Sequence, residues 1–272
     1  MKRFIAAVMC VCLLLCIDGL SVKAAESENR LDVVAHRGYS AKYPENTLVS
    51  FYQAIENGAS TIELDVRRTK GGKLVVFHDE NLSRVVGLET TKGIADISYD
   101  EVKKLDAGSY MGTEYAGLEI PSFEETLAFL KQFDVKVVVE LKPIVNDKGF
   151  VKQTYNMVKK YDMLGQVIFA SFSGKYLRQV KKLDYNQPTM KFDSHGDCNI
   201  VRSCYADYYG VNTYVLTKEL VDIIHQDGCK VYAYTPVNMD EVNAMESLGV
   251  DGVIVNYPTL ESMAADETAT AD

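Results

Sequence analysis

The chain has 272 residues, enough for one large domain or two small ones. Apolar residues make up 47% and charged residues 25%, proportions that exclude disorder and collagen-like repeats. Lys and Arg number 29 against 38 Asp and Glu, a net charge of −9, so the basic excess needed for non-specific binding to nucleic acid or to an anionic membrane is missing.

Lys2 and Arg3 precede an apolar run from Phe4 to Ile17, and Val22, Lys23 and Ala24 offer small or apolar positions around a cleavage site. This is the layout of a secretory signal peptide, and the run is shorter than the ~20 residues that span a bilayer. The expectation is a signal at 1–24 and a mature catalytic chain at 25–272, secreted or extracytoplasmic, with no stable membrane insertion after cleavage. An uncleaved anchor is the alternative, and lipid anchoring at Cys16 fits poorly because the bulky Leu15 precedes it. Removing 1–24 takes Lys2, Arg3, Lys23 and Asp18, moving the net charge from −9 to −11. Cys198, Cys204 and Cys229 remain; a Cys198–Cys204 bridge is open in an oxidising compartment, and Cys229 reads as a buried small apolar residue.

Short β-branched or aromatic runs then recur, with 3.6-residue periodicity between most of them. Leu31–His36 and Thr61–Arg67 read as the first strands, separated by the amphipathic stretch Asn46–Asn57, with Asn46 as its expected cap. Gly71 to Leu118 breaks the rhythm with a short apolar strand at Leu74–Phe77, a loop holding Gly87 and Gly93, and a helical piece at Tyr99–Leu105. Strands follow at Lys136–Lys142, Val167–Ser171, Thr189–Asp193, Ala206–Asn212, Lys230–Thr235 and Asp251–Asn256. Helical stretches lie at Ser122–Gln132, Gly149–Tyr161, Lys175–Leu183, Lys218–Gln226 and Met239–Leu248. Gly58, Gly228 and Gly249 each close an apolar helical face, and the small, acidic tail from Ala264 to Asp272 is expected to fray. Eight strands alternating with helices predict an α/β fold, a (β/α)8 TIM-type barrel with a small insertion after the second strand at about 79–118. An open doubly wound sheet is the alternative, but its glycine-rich turn after the first strand is missing.

Barrel strands are buried on both faces, so ionisable groups along them demand a reason. Glu63 and Asp65 fall at i and i+2 in the second strand, with Ile62, Leu64 and Val66 on the other face. Glu140 and Lys142 share a face in Lys136–Lys142, His36 and Arg37 close the first strand, and His78 closes Val75-Val76-Phe77. All lie at strand ends, where barrels place their chemistry. Three converging carboxylates need counter-charge. Arg37 and Lys142 can supply it as a purely structural ion network; one divalent cation supplies it better, and all-oxygen ligation selects Mg²⁺ or Ca²⁺ over zinc. Two histidines beside a metal and two fixed cations suit phosphodiester chemistry, one taking a proton from the attacking oxygen and one giving a proton to the leaving oxygen.

His36-Arg37-Gly38, Pro44-Glu45-Asn46-Thr47, Glu63-Leu64-Asp65, Val76-Phe77-His78-Asp79, Ile120-Pro121-Ser122-Phe123-Glu124, Glu140-Leu141-Lys142 and Gly249–Asn256 follow one another along the chain. In order and spacing they resemble the glycerophosphodiester phosphodiesterase family from about Val33 to Pro258. The resemblance implies hydrolysis of a small-molecule glycerophosphodiester or glycerol-phosphate polymer to an alcohol and glycerol 3-phosphate. It also implies metal ligation by Glu63, Asp65 and Glu140, acid–base work by His36 and His78, and phosphate binding by Arg37 and Lys142. The mechanism expected is attack by the substrate's glycerol 2-hydroxyl, with a cyclic phosphate that water then opens. Two departures are Gly71, where the family often has Asp, and Tyr234-Thr235-Pro236-Val237-Asn238 in place of Trp-Thr-Val-Asn; the latter leaves the alcohol-side pocket open. His225 reads as a helix C-terminal residue and His195 as a loop residue. Tyr205, Tyr208, Tyr209, Tyr214, Tyr232 and Tyr234 read mainly as barrel packing. A phospholipase-type barrel acting on lipid head groups and a secreted phosphodiester-binding protein without activity are the alternatives. The first wants a basic patch or apolar rim, and the second has no need of paired histidines.

Overall fold

The structure, a computed structural model, describes residues 31–196 and 206–271. The predicted segment 1–24, Cys16, Tyr205 and the Cys198–Cys204 pair lie outside the described residues.

Eight parallel strands close on themselves: β1 (Asp32–His36), β2 (Thr61–Arg68), β4 (Lys136–Leu141), β5 (Val167–Ser171), β6 (Thr189–Asp193), β7 (Tyr208–Asn212), β8 (Lys230–Tyr234) and β9 (Gly252–Val255), with β1 bonded to both β9 and β2. The remaining described strand, β3 (Leu74–Val76), runs antiparallel to β2. Helices alternate with the strands around the outside: α1 (Leu48–Glu56), α4 (Phe123–Leu130), α5 (Phe150–Lys160), α6 (Gly174–Leu183), α7 (Lys218–Gln226), α8 (Met239–Leu248) and α9 (Leu260–Ala271). Two one-turn helices, α2 (Ser83–Val86) and α3 (Tyr99–Val102), sit in the segment between β3 and α4. The expected barrel is therefore present.

Period-two alternation sorts each strand into an inner and an outer face. Ile62, Leu64 and Val66 of β2 and Val137, Val139 and Leu141 of β4 face outward into the main core, where they meet Phe123 and Leu127 of α4 and Phe150 and Val158 of α5. Val34, Val138, Ala170, Met190 and Ile254 fill the barrel's interior. On the inner face above Val138, β4 carries Glu140 and β2 carries Glu63 and Asp65, all buried. Helix starts are capped from sequence: Ser122 and Glu125 form a reciprocal box at α4, while Thr217 and Asn238 accept from backbone N–H groups at α7 and α8.

Two local expectations are corrected. The cap of α1 is Thr47, whose Oγ1 accepts from the Ser50 N–H at 3.2 Å; Asn46 is buried and turned into the site. The tail from Ala264 is helical through Ala271 as part of α9, with Met263 buried, Asp266 accepting from Tyr257 Oη at 2.8 Å and Glu267 accepting from the Met239 N–H at 2.7 Å. Among the described residues, no helix is long and apolar enough to cross a membrane.

The segment after β3 has its own small core of Val75, Phe77, Leu82, Val85, Ile94, Ile97, Val102 and Ile120. That core gives it enough buried apolar surface to hold a fixed shape where it leaves β3, next to His78.

Candidate active site

The site begins with the strand register. Asp65 pairs with Glu140 across β2 and β4, and His36 pairs with Glu63 across β1 and β2, so four ionisable side chains emerge on adjacent strands near their C-terminal ends. Carboxylate oxygens of Glu63, Asp65 and Glu140 lie within 4.8 Å of one another. At that spacing two unit charges repel by about 3 kcal/mol in an effective dielectric of ~20. Lys142 offsets part of this, with Nζ 2.9 Å from Glu140 Oε1 and 3.3 Å from Asp65 Oδ1.

Arg37 offsets another part through an unusual backbone. Its φ is 58°, a left-handed conformation that costs a non-glycine residue roughly 1–2 kcal/mol. Gly38 follows at φ 84°, and a Cβ there would stand 2.5 Å from Ser50 Oγ and 2.7 Å from the Ser50 carbonyl carbon, so only glycine fits. The tight turn lets the Arg37 N–H donate to Glu63 Oε2 at 3.0 Å, brings Nε to 3.5 Å from Asp65 Oδ2, and lets Nη1 donate to Glu45 Oε1 at 2.8 Å. Asn46, also left-handed at φ 58°, donates from Nδ2 to Asp65 Oδ2 at 2.8 Å and accepts from the Asp65 N–H at 3.3 Å.

Titration follows these contacts. Burial pushes Glu63 well above the usual carboxylate range, with the Asp65 and Glu140 charges adding to the rise. Glu140 is pushed up to about 7 by burial and by Asp65. Asp65 is buried too, but Lys142 and Arg37 together overcome that burial and hold it well below its ordinary value. One permanently ionised acid therefore sits between two reluctant ones. Glu63 Oε1 is buried without a polar partner among the described residues, and Asp65 Oδ1 and Glu140 Oε1 are buried against the Lys142 Nζ that they share.

The two imidazoles approach from different strands. His36 holds Nδ1 2.9 Å from Asn256 Oδ1, which leaves Nε2 4.0 Å from Glu63 Oε2; burial and the Arg37 charge lower its pKa to about 4. His78 has Nδ1 2.7 Å from Asp79 Oδ1, and its backbone carbonyl accepts from both Nε and Nη2 of Arg67 at 2.9 and 2.7 Å. Burial lowers its pKa as well. His36, Arg37, Glu63, His78 and Glu140 line a cavity of about 310 Å³ together with Phe172, Phe192, Tyr214, Tyr234 and Ile254. Phe172, Phe192 and Tyr234 pack as a trio with ring centroids 5.3 to 5.9 Å apart.

Residues 36–260 match the model of the glycerophosphoryl diester phosphodiesterase family. The chain belongs to that family. A glycerophosphodiester phosphodiesterase of Caldanaerobacter subterraneus subsp. tengcongensis is 35% identical over 83% of this chain and 94% of its own length. One from Bacillus subtilis is 34% identical over 86% of each chain. An Oleispira antarctica phosphodiesterase, solved with the product sn-glycerol-3-phosphate, superposes with a TM-score of 0.78 at 28% identity over 85% of this chain and 96% of that one. As a member of the glycerophosphoryl diester phosphodiesterase family, the protein is a phosphoric diester hydrolase, and the barrel mouth is where its ionic residues gather.

Of the residues singled out from sequence, Glu63, Asp65, Glu140, Lys142 and Arg37 form one contact network, joined by His36 at 4.0 Å. His78 shares the cavity, and its side chain bonds to Asp79. The carboxylate trio fits a hard cation: its donors are all oxygen, Glu63 Oε1 has no polar partner among the described residues, and Asp65 Oδ1 and Glu140 Oε1 share a single ammonium. A second trio, Glu45, His78 and Asp79, also brings its ligand atoms within 4.8 Å of one another, but Arg84 and Arg37 already bond both of its carboxylates. Asn46, Asn256, Glu45, Asp79 and Arg84 are site residues that sequence reasoning missed; the first four lie inside the quoted motifs, and Arg84 carries no local signal. His225 sits in the last turn of α7, 2.8 Å from Asp251, as expected of a structural residue. Tyr214 and Tyr234 line the cavity, whereas Tyr232 bonds to Asp32 at the other end of the barrel. Cys229 is half-buried with its thiol donating to the Ala206 carbonyl.

Proposed function

We propose that the chain cleaves glycerophosphodiesters to glycerol 3-phosphate and an alcohol, using one divalent cation, Ca²⁺ or Mg²⁺, held by Glu63, Asp65 and Glu140. The observation that carries this reading is the set of three buried carboxylates with oxygens within 4.8 Å of one another, Glu63 Oε1 lacking a polar partner among the described residues, beside Lys142 and a cavity lined by Arg37 and two imidazoles. The product held by the Oleispira antarctica relative agrees with it. When bound, the cation supplies Lewis-acid stabilisation of phosphoryl oxygens and eases ionisation of a neighbouring hydroxyl.

The residues of the chain divide the remaining work. Lys142 and Arg37 oppose the charge that grows on the phosphoryl oxygens. With each Nδ1 engaged, His36 and His78 have Nε2 left for proton transfer. Both imidazoles are held neutral by burial, and an arriving phosphodiester anion favours protonation of one of them. In the first step the glycerol 2-hydroxyl oxygen bonds to phosphorus and its proton passes to one imidazole. The bond from phosphorus to the alcohol oxygen breaks as the other imidazolium gives up its proton. A cyclic phosphate remains; in the second step water opens it and the two imidazoles exchange roles. The aromatic wall of Phe172, Phe192 and Tyr234 receives the departing alcohol.

The test is to incubate the purified protein with glycerophosphocholine and Ca²⁺ or Mg²⁺ and follow glycerol 3-phosphate, with phosphorus resonance to detect the cyclic species. Release that stops with chelator and returns with the cation is expected. Release indifferent to chelator removes the cation from the mechanism, and release with no cyclic species at any point of the time course removes the two-step route. Export through cleavage of residues 1–24 is part of the same reading and is tested by N-terminal sequencing of the mature protein.

A further inference from the structure

Arg84 stands on α2, in the segment after β3, and reaches back to the rim of the barrel. Its guanidinium makes two forks at once. Nε and Nη2 donate to Oδ2 and Oδ1 of Asp79 at 2.8 and 3.0 Å, and Nη1 and Nη2 donate to Oε2 and Oε1 of Glu45 at 2.7 Å each. Each carboxylate then touches one proposed functional side chain: Asp79 Oδ1 is 2.7 Å from His78 Nδ1, and Glu45 Oε1 accepts from Arg37 Nη1 at 2.8 Å. The Glu45 backbone is held in turn, its N–H donating to Tyr110 Oη at 2.9 Å.

We propose that Arg84 is a positioning residue of this phosphodiesterase: one guanidinium that fixes His78 through Asp79 and Arg37 through Glu45, locking proton transfer and phosphate binding into one geometry. The inference rests on the reading of His78 and Arg37 given above. A carboxylate at Nδ1 fixes the imidazole tautomer and ring plane, leaving Nε2 free. Without Arg84, Asp79 keeps His78 but can swing with it, and Glu45 loses the group that sets its angle toward Arg37. Planar, double-forked recognition of two carboxylates is a property of guanidinium; an ammonium is a point charge with neither the reach nor the flat donor array. The small core of Leu82, Val85 and Ile94 holds α2 in place, so the guanidinium approaches from a fixed base.

The experiment compares Arg84→Ala, Arg84→Lys, Asp79→Asn and the Arg84→Ala/Asp79→Asn double variant, with His78→Ala as the reference for the reading itself. Arg84→Ala is expected to lower kcat roughly 10- to 100-fold, the scale of a displaced reacting group, with thermal unfolding close to that of the parent. Arg84→Lys is expected to lose nearly as much, and millimolar guanidinium salts to restore part of the activity of Arg84→Ala but none of Arg84→Lys. Losses in the double variant should fall short of the product of the single losses, because both act on His78. Should Arg84→Ala not fold, Arg84→Lys, which keeps the stem and the charge, carries the same comparison. Full activity in Arg84→Lys, or multiplicative losses in the double variant, overturns the inference. Full activity in His78→Ala overturns the functional reading instead, so the two failures are told apart.

Discussion

Both ends of the barrel carry charges, and they treat them differently. At the N-terminal end, Asp32 accepts from Tyr232 Oη at 2.6 Å with Lys230 3.9 Å away, and Asp251 accepts from the Val231 N–H and faces His225, both at 2.8 Å. Those acids are half-exposed or open to solvent, and each is met by a donor. At the C-terminal end three acids are buried and close, Asp65 and Glu140 share the Lys142 ammonium, and Glu63 Oε1 is left without a polar partner among the described residues. Burying an ion costs several kcal/mol unless it is paired and bonded. A protein that tolerates this at one end and avoids it at the other has placed its chemistry at the first and its stability at the second.

The sharpest break of this contrast is at the histidines. His36→Ala and His78→Ala are each expected to lower kcat by roughly 10²–10⁴, the usual share of a positioned proton-transfer group, while thermal unfolding changes little because both side chains border the cavity. Steady-state rates on glycerophosphocholine decide it: a variant with parental kcat takes that histidine out of the mechanism.

The acid trio gives the next largest effect. Burial and mutual repulsion hold Glu140 at about 7 and raise Glu63 well above its ordinary value, so as pH falls protons come to occupy oxygens that a cation must take. Cation binding therefore releases protons, and its affinity is expected to fall as pH drops from 8 to 6, by about tenfold per pH unit for each proton displaced. Titration calorimetry in buffers of different ionisation enthalpy counts those protons. Glu63→Gln should weaken cation binding and reduce the proton count; an unchanged isotherm removes Glu63 from the ligand set.

This contrast is partly legible in the sequence. Glu63 and Asp65 stood out because charges at period two in an apolar strand have no solvent to face, and Glu140 with Lys142 repeated the pattern. The strands themselves were legible for the same reason, since a closed barrel needs long apolar runs at even spacing. Asn46 was misjudged because cap preference is a local statistic: Thr47 takes the cap, and Asp65, nineteen residues away, draws Asn46 inward. The tail was misjudged because its helix rests on partners from elsewhere, Lys42 on Asp266 at 2.7 Å and Met239 on Glu267. Arg84 was invisible. A single arginine on a four-residue helix has no periodicity, and only the fold shows that it meets Asp79 and Glu45 together.

The smallest expected effect lies at the barrel's other end and tests the comparison from the side where nothing catalytic should happen. Tyr232→Phe deletes one hydroxyl, the donor to Asp32 Oδ2. Asp32 is largely exposed, so its freed oxygen turns to water and no buried acceptor is orphaned; the loss is that of one ordinary hydrogen bond, about 0.5–1.5 kcal/mol. In a chain of this size that shifts Tm by roughly 1–6 °C. Activity on glycerophosphocholine should stay within twofold of the parent, and cation affinity should not move. A large fall in kcat with Tm preserved would mean that the two ends are coupled through the Val138–Ile254 layer between them, and that the division between a stabilising end and a reacting end does not hold.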